Sequence, residues 1–250
     1  MGRFWSFLFL LVPVLGVLCF AWAPSAGFWL VEDISLLGRQ IDQLFYFILI
    51  LTGAVFVATE GCLFLFMWQY DKDKAKKPVK YMHGSHNLEI VWTIVPAGAL
   101  LFIAIYQMNA WAELTMNVPE EPAVEVELTG RQFEWRLRYP GPDGKFDTRD
   151  DIYHVNDMHV PVNKTVLVHL ESMDVLHSFF LPNLRLKQDA VPGKTIPVWF
   201  TPQKEGEYDL VCAELCGWGH YKMKGRLTVQ SQEDYDAWLA QMLKEQEAVK

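Results

Sequence analysis

The sequence predicts a membrane α-helical anchor, with three transmembrane helices, joined to an all-β sandwich domain. Two divisions within the 250 residues carry this reading. Almost all the long apolar runs fall before residue 110, whereas residues 111–250 alternate apolar and polar positions in short stretches broken by Gly, Pro and charge. Charge divides at the same place. Residues 1–110 hold 7 basic and 7 acidic side chains and residues 111–250 hold 15 and 23, so the net charge of -8 sits on the C-terminal part. An acidic domain argues against nucleic acid and against anionic lipid as partners, and favours a basic protein steered by charge. A merely solvated surface would carry the same balance.

Residues 4–22, 41–69 and 90–108 each offer about 20 mostly apolar residues, enough for a crossing. Between the second and third lie Lys72, Lys74, Lys76, Lys77 and Lys80, which by the positive-inside rule face the cytoplasm and put everything after residue 110 outside. The first run also resembles a signal peptide, with Arg3 before it and Ala21-Trp22-Ala23 as a cleavage site. Pro24 directly after that bond disfavours cleavage, so the expectation is retention. Glu60, inside the second run, is either a proton-path or subunit contact, as ionisable groups in a membrane usually are, or a side chain snorkelling to the nearby interface.

Strand-like alternation follows at Val124, Val126 and Leu128, at Phe133, Trp135 and Leu137, and at Val166, Val168 and Leu170. Further strands are expected over 195–200, 207–211 and 225–229, and this spacing suggests a sandwich or barrel. Ser231 and Asp234 form a capping box for a closing helix whose Tyr235, Trp238, Leu239 and Met242 recur at helical spacing as a packing stripe. The expected divisions are therefore an anchor over 1–110, the sandwich over 111–230 and a C-terminal helix over 231–250.

Cys19 and Cys62 lie in apolar runs and behave as small hydrophobes. Cys212 and Cys216 do not, because CAELCGWGHYKM at 212–223 sets two thiols, an imidazole and a thioether within twelve residues. Thiolate, imidazole and a weak thioether are the ligands of copper electron-transfer sites. One copper needs only one cysteine, so the pair suggests two coppers bridged by both sulfurs. His220 would serve one metal and His177, in DVLHSFFLPN, the other, with the Met223 sulfur and the Glu214 main-chain carbonyl as weak outer ligands. Competing readings are a disulfide, a Cys2His2 zinc site and plain packing. A disulfide leaves the His and Met without a role, and zinc leaves Met223 without one.

The ligand loop, His177 with the following LKQDAVPGK, and NLEIVWTIVPA at 87–97 together resemble subunit II of cytochrome c oxidase over about residues 40–230. The resemblance implies a cupredoxin-like sandwich holding the dinuclear CuA centre on His177, Cys212, Glu214 (carbonyl), Cys216, His220 and Met223. It also implies a magnesium ion near the Glu214 side chain at the interface with subunit I, and places Glu89 at the mouth of a proton-uptake path. An interfacial charge is the plainer reading of Glu89. The setting implied is the bacterial inner membrane, with the C-terminal domain periplasmic.

The chain departs from the pattern in three places. GRQFEW stands where the family carries GHQWYW, so Phe133 replaces the Trp through which electrons enter; the entrance region becomes Phe133 and Trp135, and the donor is either cytochrome c or a membrane-bound cytochrome. PGPDGKFDTRDD at 140–151 is an insertion whose Asp143, Asp147, Asp150 and Asp151 offer oxygen ligands to calcium, although without EF-hand spacing, and a solvated turn is the simpler reading. The N-terminal apolar segment is extra. No CxxCH occurs, so no covalently attached haem is expected.

The expected role is to accept electrons and relay them to haem in subunit I, where oxygen is reduced to water and protons are translocated. A subunit of a nitric oxide reductase with the same copper centre, and a membrane-tethered copper carrier, remain alternatives. A quinol-oxidising relative is disfavoured because all the copper ligands are present.

Overall fold

The computed structural model describes residues 2–71, 81 and 83–249. The lysine cluster from Lys72 to Lys80, on which the expected orientation rests, lies outside the described residues. The chain divides into two compact units, Met1–Leu30 with Asp42–Asn109, and Val31–Ile41 with Ala110–Lys250.

Three long helices dominate the first unit: α1 (Gly2–Trp22), α2 (Gly38–Gln69) and α3 (His86–Thr115). Among the described residues these three are long and apolar enough to cross a membrane. Each runs further than its apolar core. The third extends to Thr115 rather than ending near 108, because the weakly polar turn after Met108 still satisfies its own backbone. Their large apolar side chains are mostly turned outward, as suits lipid or another membrane subunit. Aromatic edges make the helix contacts, including Phe7 on Trp68 at 5.2 Å and Phe47 on Tyr106 at 5.7 Å.

The second unit is a sandwich of ten strands in two sheets. They are β1 (Val124–Arg131), β2 (Glu134–Tyr139), β3 (Ile152–Val155), β4 (Asp157–Pro161), β5 (Val166–Ser172), β6 (His177–Leu181), β7 (Leu186–Ala190), β8 (Ile196–Phe200), β9 (Gly206–Cys212) and β10 (Lys224–Gln230). One sheet runs β3-β2-β1-β5-β8 and the other β4-β10-β9-β6-β7. Alternation in the sequence becomes alternation in burial: Val124, Val126 and Leu128 point inward from β1, and Trp135, Leu137 and Tyr139 from β2. These meet Phe179, Leu181, Leu210 and Leu227 of the facing sheet to form the core. Phe133 falls outside the strand expected for it. Gln132 and Phe133 form the turn between β1 and β2, because Arg131 pairs directly with Glu134.

Helix α4 (Gln232–Val249) closes the chain, and Ser231 caps it by accepting the Asp234 N–H at 3.1 Å. Its Trp238 stacks on His159 at 4.2 Å and meets Tyr139 edge-on at 5.2 Å. A feature without a sequence signal is the segment before α2. The Ile34 N–H donates to the Asn183 carbonyl and its own carbonyl accepts from Gln203, Ser35 bridges to Pro202, and Glu32 pairs with Lys204 at 2.7 Å. Ser35 Oγ then accepts the Leu37 and Gly38 N–H groups and so starts α2.

Candidate metal centre

Strands β9 and β10 pair antiparallel, and their connection, residues 213–223, is the Cys-rich loop. The Cys212 N–H donates to the Met223 carbonyl at 3.0 Å and closes its neck. On the other side β6 pairs with β9 through Phe179 opposite Cys212, so His177 at the start of β6 reaches the mouth of the loop. The Ala213 N–H to Ser178 carbonyl bond, 2.9 Å, fixes that approach. Gly130 on β1 makes room for the imidazole, since a Cβ there would stand 3.0 Å from the His177 ring.

Five side chains converge. Cys212 Sγ lies 3.8 Å from Cys216 Sγ, and each sulfur has its own imidazole: His177 Nδ1 is 3.9 Å from Cys212, and His220 Nδ1 is 3.6 Å from Cys216. Met223 Sδ approaches Cys216 Sγ at 3.7 Å, and the Glu214 carbonyl oxygen lies 3.3 Å from Cys212 Sγ. Ligand atoms of His177, Cys212 and Cys216 all fall within 4.8 Å of one another, and these residues are buried. The sulfurs are too far apart for a disulfide bond, which needs about 2.05 Å, and both cysteines are free thiols. Two thiols, two imidazoles, a thioether and a carbonyl oxygen make a soft donor set of the kind copper takes.

Electrostatics favour a thiolate here. Burial opposes ionisation of Cys212, but the His177 hydrogen bond, with main-chain donors, outweighs it and brings the thiol down to about 6. Burial and the neighbouring Cys212 charge push Cys216 up to about 11, as expected when two like groups share a site. A bound cation would remove that conflict by stabilising both thiolates.

Asp174 completes the arrangement and carried no sequence signal beyond its place three residues before His177. Its Oδ1 accepts from His177 Nε2 at 2.8 Å and from the Val175 N–H at 2.7 Å, while Oδ2 accepts the Gln132 N–H at 2.8 Å. Partial burial works against the charge, yet the Gln132 N–H, His177 and the Val175 N–H together hold the carboxyl below its ordinary range. An ionised acceptor holds a proton on Nε2, while a second proton on Nδ1 is the one shared with the Cys212 thiolate; its loss would free Nδ1 for a metal.

The remaining expected residues lie apart from this cluster. Trp135 is fully buried beneath it, edge-on to His177 at 6.1 Å, whereas Phe133 is half-buried under the loop. Trp135 therefore does not reach the surface. Glu60 is half-buried on α2, and Glu89 is exposed in the first turn of α3. In the acidic insertion Asp151 is buried and accepts from the Asp147 N–H at 2.9 Å and from Arg138 at 3.3 Å. Asp147 also pairs with Arg138, and Asp150 accepts from the Asp143 N–H and from Thr148 Oγ1. Asp147, Asp150 and Asp151 thus already accept from a guanidinium or from donors within the loop.

Two family models match the chain. "Cytochrome C oxidase subunit II, periplasmic domain" matches residues 147–230, and the "transmembrane domain" of the same subunit matches residues 24–110. "Alternative cytochrome c oxidase subunit 2" of Bradyrhizobium diazoefficiens is 32% identical over 88% of this chain and 83% of its own. "Cytochrome c oxidase subunit 2" of Cereibacter sphaeroides is 32% identical over 83% of this chain and 77% of its own. Among solved structures, the periplasmic domain of subunit II of cytochrome oxidase (CoxB) of Bradyrhizobium japonicum aligns with 51% of this chain and 98% of that one, at 29% identity and a TM-score of 0.46. From the two family models and the length and identity of these sequence matches, the chain belongs to the cytochrome c oxidase subunit II family.

Proposed function

We propose that this chain is the electron-accepting subunit of a haem-copper respiratory oxidase. The carrying observation is the pairing of each thiol with its own imidazole across a 3.8 Å sulfur pair. A copper pair held here would supply one-electron transfer between a cytochrome c-type donor and haem in subunit I, the subunit in which oxygen is reduced to water and protons are translocated. Cys212, Cys216, His177 and His220 would hold the copper, with Met223 and the Glu214 carbonyl as weak outer ligands that would tune its potential. Burial of Cys212, Cys216 and His177 keeps water away, so little reorganises as charge changes. The Glu214 carboxylate would help hold a magnesium ion at the interface with subunit I, and Glu89 would open a proton-uptake path there.

Residues 111–230 form the periplasmic domain and residues 231–250 its closing helix, with 1–110 anchoring them in the bacterial inner membrane. Two features support this orientation: the lysines between α2 and α3, and the attachment of residues 32–36, which join α1 to α2, to the sandwich unit. The α1–α2 connection and the C-terminal domain then share the periplasmic side.

Electron paramagnetic resonance with copper quantification on the purified, oxidised chain tests this reading. A seven-line hyperfine pattern at two coppers per chain is expected, because one unpaired electron is shared equally between two copper nuclei. A four-line signal, or zinc in the site, would overturn it.

A further inference from the structure

An electron reaching the thiolates from another protein needs a polarizable group at the surface close to them, and neither aromatic of the GRQFEW stretch offers one. Phe133 is half-buried and Trp135 fully buried. Trp218 stands in that position. It lies midway between Cys216 and His220, its indole is 82% exposed, and the Phe133 ring meets it edge-on at 5.2 Å with the planes 71° apart. The loop is fitted to this contact. A Cβ on Gly219 would come within 2.5 Å of Phe133, and one on Gly217 within 2.7 Å of the Gln132 side chain. Gln132 Nε2 in turn donates to the Cys216 carbonyl at 2.6 Å. The two glycines let the loop lie directly on Phe133 while the indole between them projects outward.

The surrounding surface is unlike the rest of the domain. Among the described residues from Val124 onward eight large apolar side chains are exposed, and six of them flank the candidate metal ligands: Met173, Val175 and Leu176 before His177, and Leu215, Trp218 and Tyr221 around Cys216 and His220. An apolar patch with an aromatic at its centre is the usual form of a recognition surface. Asp174 and Glu214 adjoin it in the chain, Lys222 lies over the Tyr221 ring at 5.4 Å, and the domain carries the whole net charge of -8, so a basic partner is complementary overall.

We propose that Trp218, in place of Phe133, is the residue on which a basic c-type cytochrome seats its haem edge and the first group on the electron path to the Cys216 thiolate; this rests on the copper-pair reading above. One electron leaves the ferrous haem, which becomes ferric, and the oxidised copper pair gains it. No bond is made or broken and no proton moves.

The test uses the purified oxidase complex with the parent chain, Trp218→Ala or Trp218→Phe, and a basic mitochondrial-type cytochrome c as the probe. Four quantities are read: the copper signal, the subunit composition, cytochrome binding by calorimetry, and the bimolecular reduction rate by stopped flow at low ionic strength. Trp218→Ala is expected to keep the signal and the subunits while binding weakens and the rate falls about tenfold or more, with partial recovery in Trp218→Phe. Parent-like binding and rate with the signal intact would overturn the assignment. Loss of partner subunits from Trp218→Ala would overturn it as well, by showing the patch to be a subunit interface. A parent without the seven-line signal brings down the copper reading itself and the Trp218 assignment with it.

Discussion

Asp174 shows how one side chain outside the ligand set can govern it. Its carboxylate accepts a hydrogen bond from His177 Nε2 at 2.8 Å and is itself fixed by two backbone N–H groups, so the imidazole keeps its Nε2 proton and one orientation. Asp174→Asn keeps the shape but replaces an obligate acceptor with an amide that can also donate, and the ring then has a choice of tautomer. We expect copper affinity to fall by about 10- to 100-fold, measured by titration against a competing chelator, with the domain still folded. An unchanged affinity would mean that the loop alone sets the His177 geometry. Of the residues at this centre, the ligands were legible in the sequence because Cys, His and Met at short spacing have no common structural use. Asp174 and Trp218 were not. A carboxylate before a histidine, or a Trp between two glycines, acquires meaning only once β6 and the β9–β10 loop are brought together.

At the scale of elements, α4 is held to the sandwich by Tyr235, by an apolar stripe and by Trp238, which lies against His159, Tyr139 and His154. Trp238→Ala should cost about 3 kcal/mol, read as a loss of thermal stability with the copper signal retained. The same contact makes stability depend on pH. Burial lowers the pKa of His159 against the opposing pull of Asp157 and the Gln230 hydrogen bond, with His154 adding to the lowering. The unfolded chain therefore takes up this proton first. Stability present above the unfolded value of about 6.5 is lost as pH falls towards the lower folded value. Thermal melts at pH 7 and pH 5.5 should show the loss, and His159→Gln should reduce it. The capping box and apolar stripe made this helix legible, as alternation did β1 and β5. By contrast β3, β4, β6 and β7 are short, and their burial is decided by strands far away in sequence. Phe133 fell in a turn for a related reason: the apolar period continued through it, but Arg131 pairing with Glu134 left no room for a strand residue.

For the whole molecule, the division between membrane and water was legible from composition, since no packing is needed to see where apolar runs stop. The attachment of residues 32–36 to the sandwich was not, because it depends on backbone bonds that any sequence of similar size could make. Charge is the property that acts over the full molecule, and the net -8 is concentrated in residues 111–250. Such a field raises the encounter rate with a basic donor and is screened within about 8 Å at physiological ionic strength. The bimolecular rate of reduction by a basic cytochrome c should therefore fall steeply between low and physiological salt, in stopped-flow measurements on the oxidase complex, while an acidic donor should gain or stay level over the same range. A salt-independent rate with the basic donor would mean that the acidic side chains lie away from the docking face and that the apolar patch around Trp218 acts without steering. A steep fall that persists in Trp218→Ala would instead show that long-range attraction and the local aromatic contact act separately, the first setting how often donors arrive and the second how often an arrival delivers its electron.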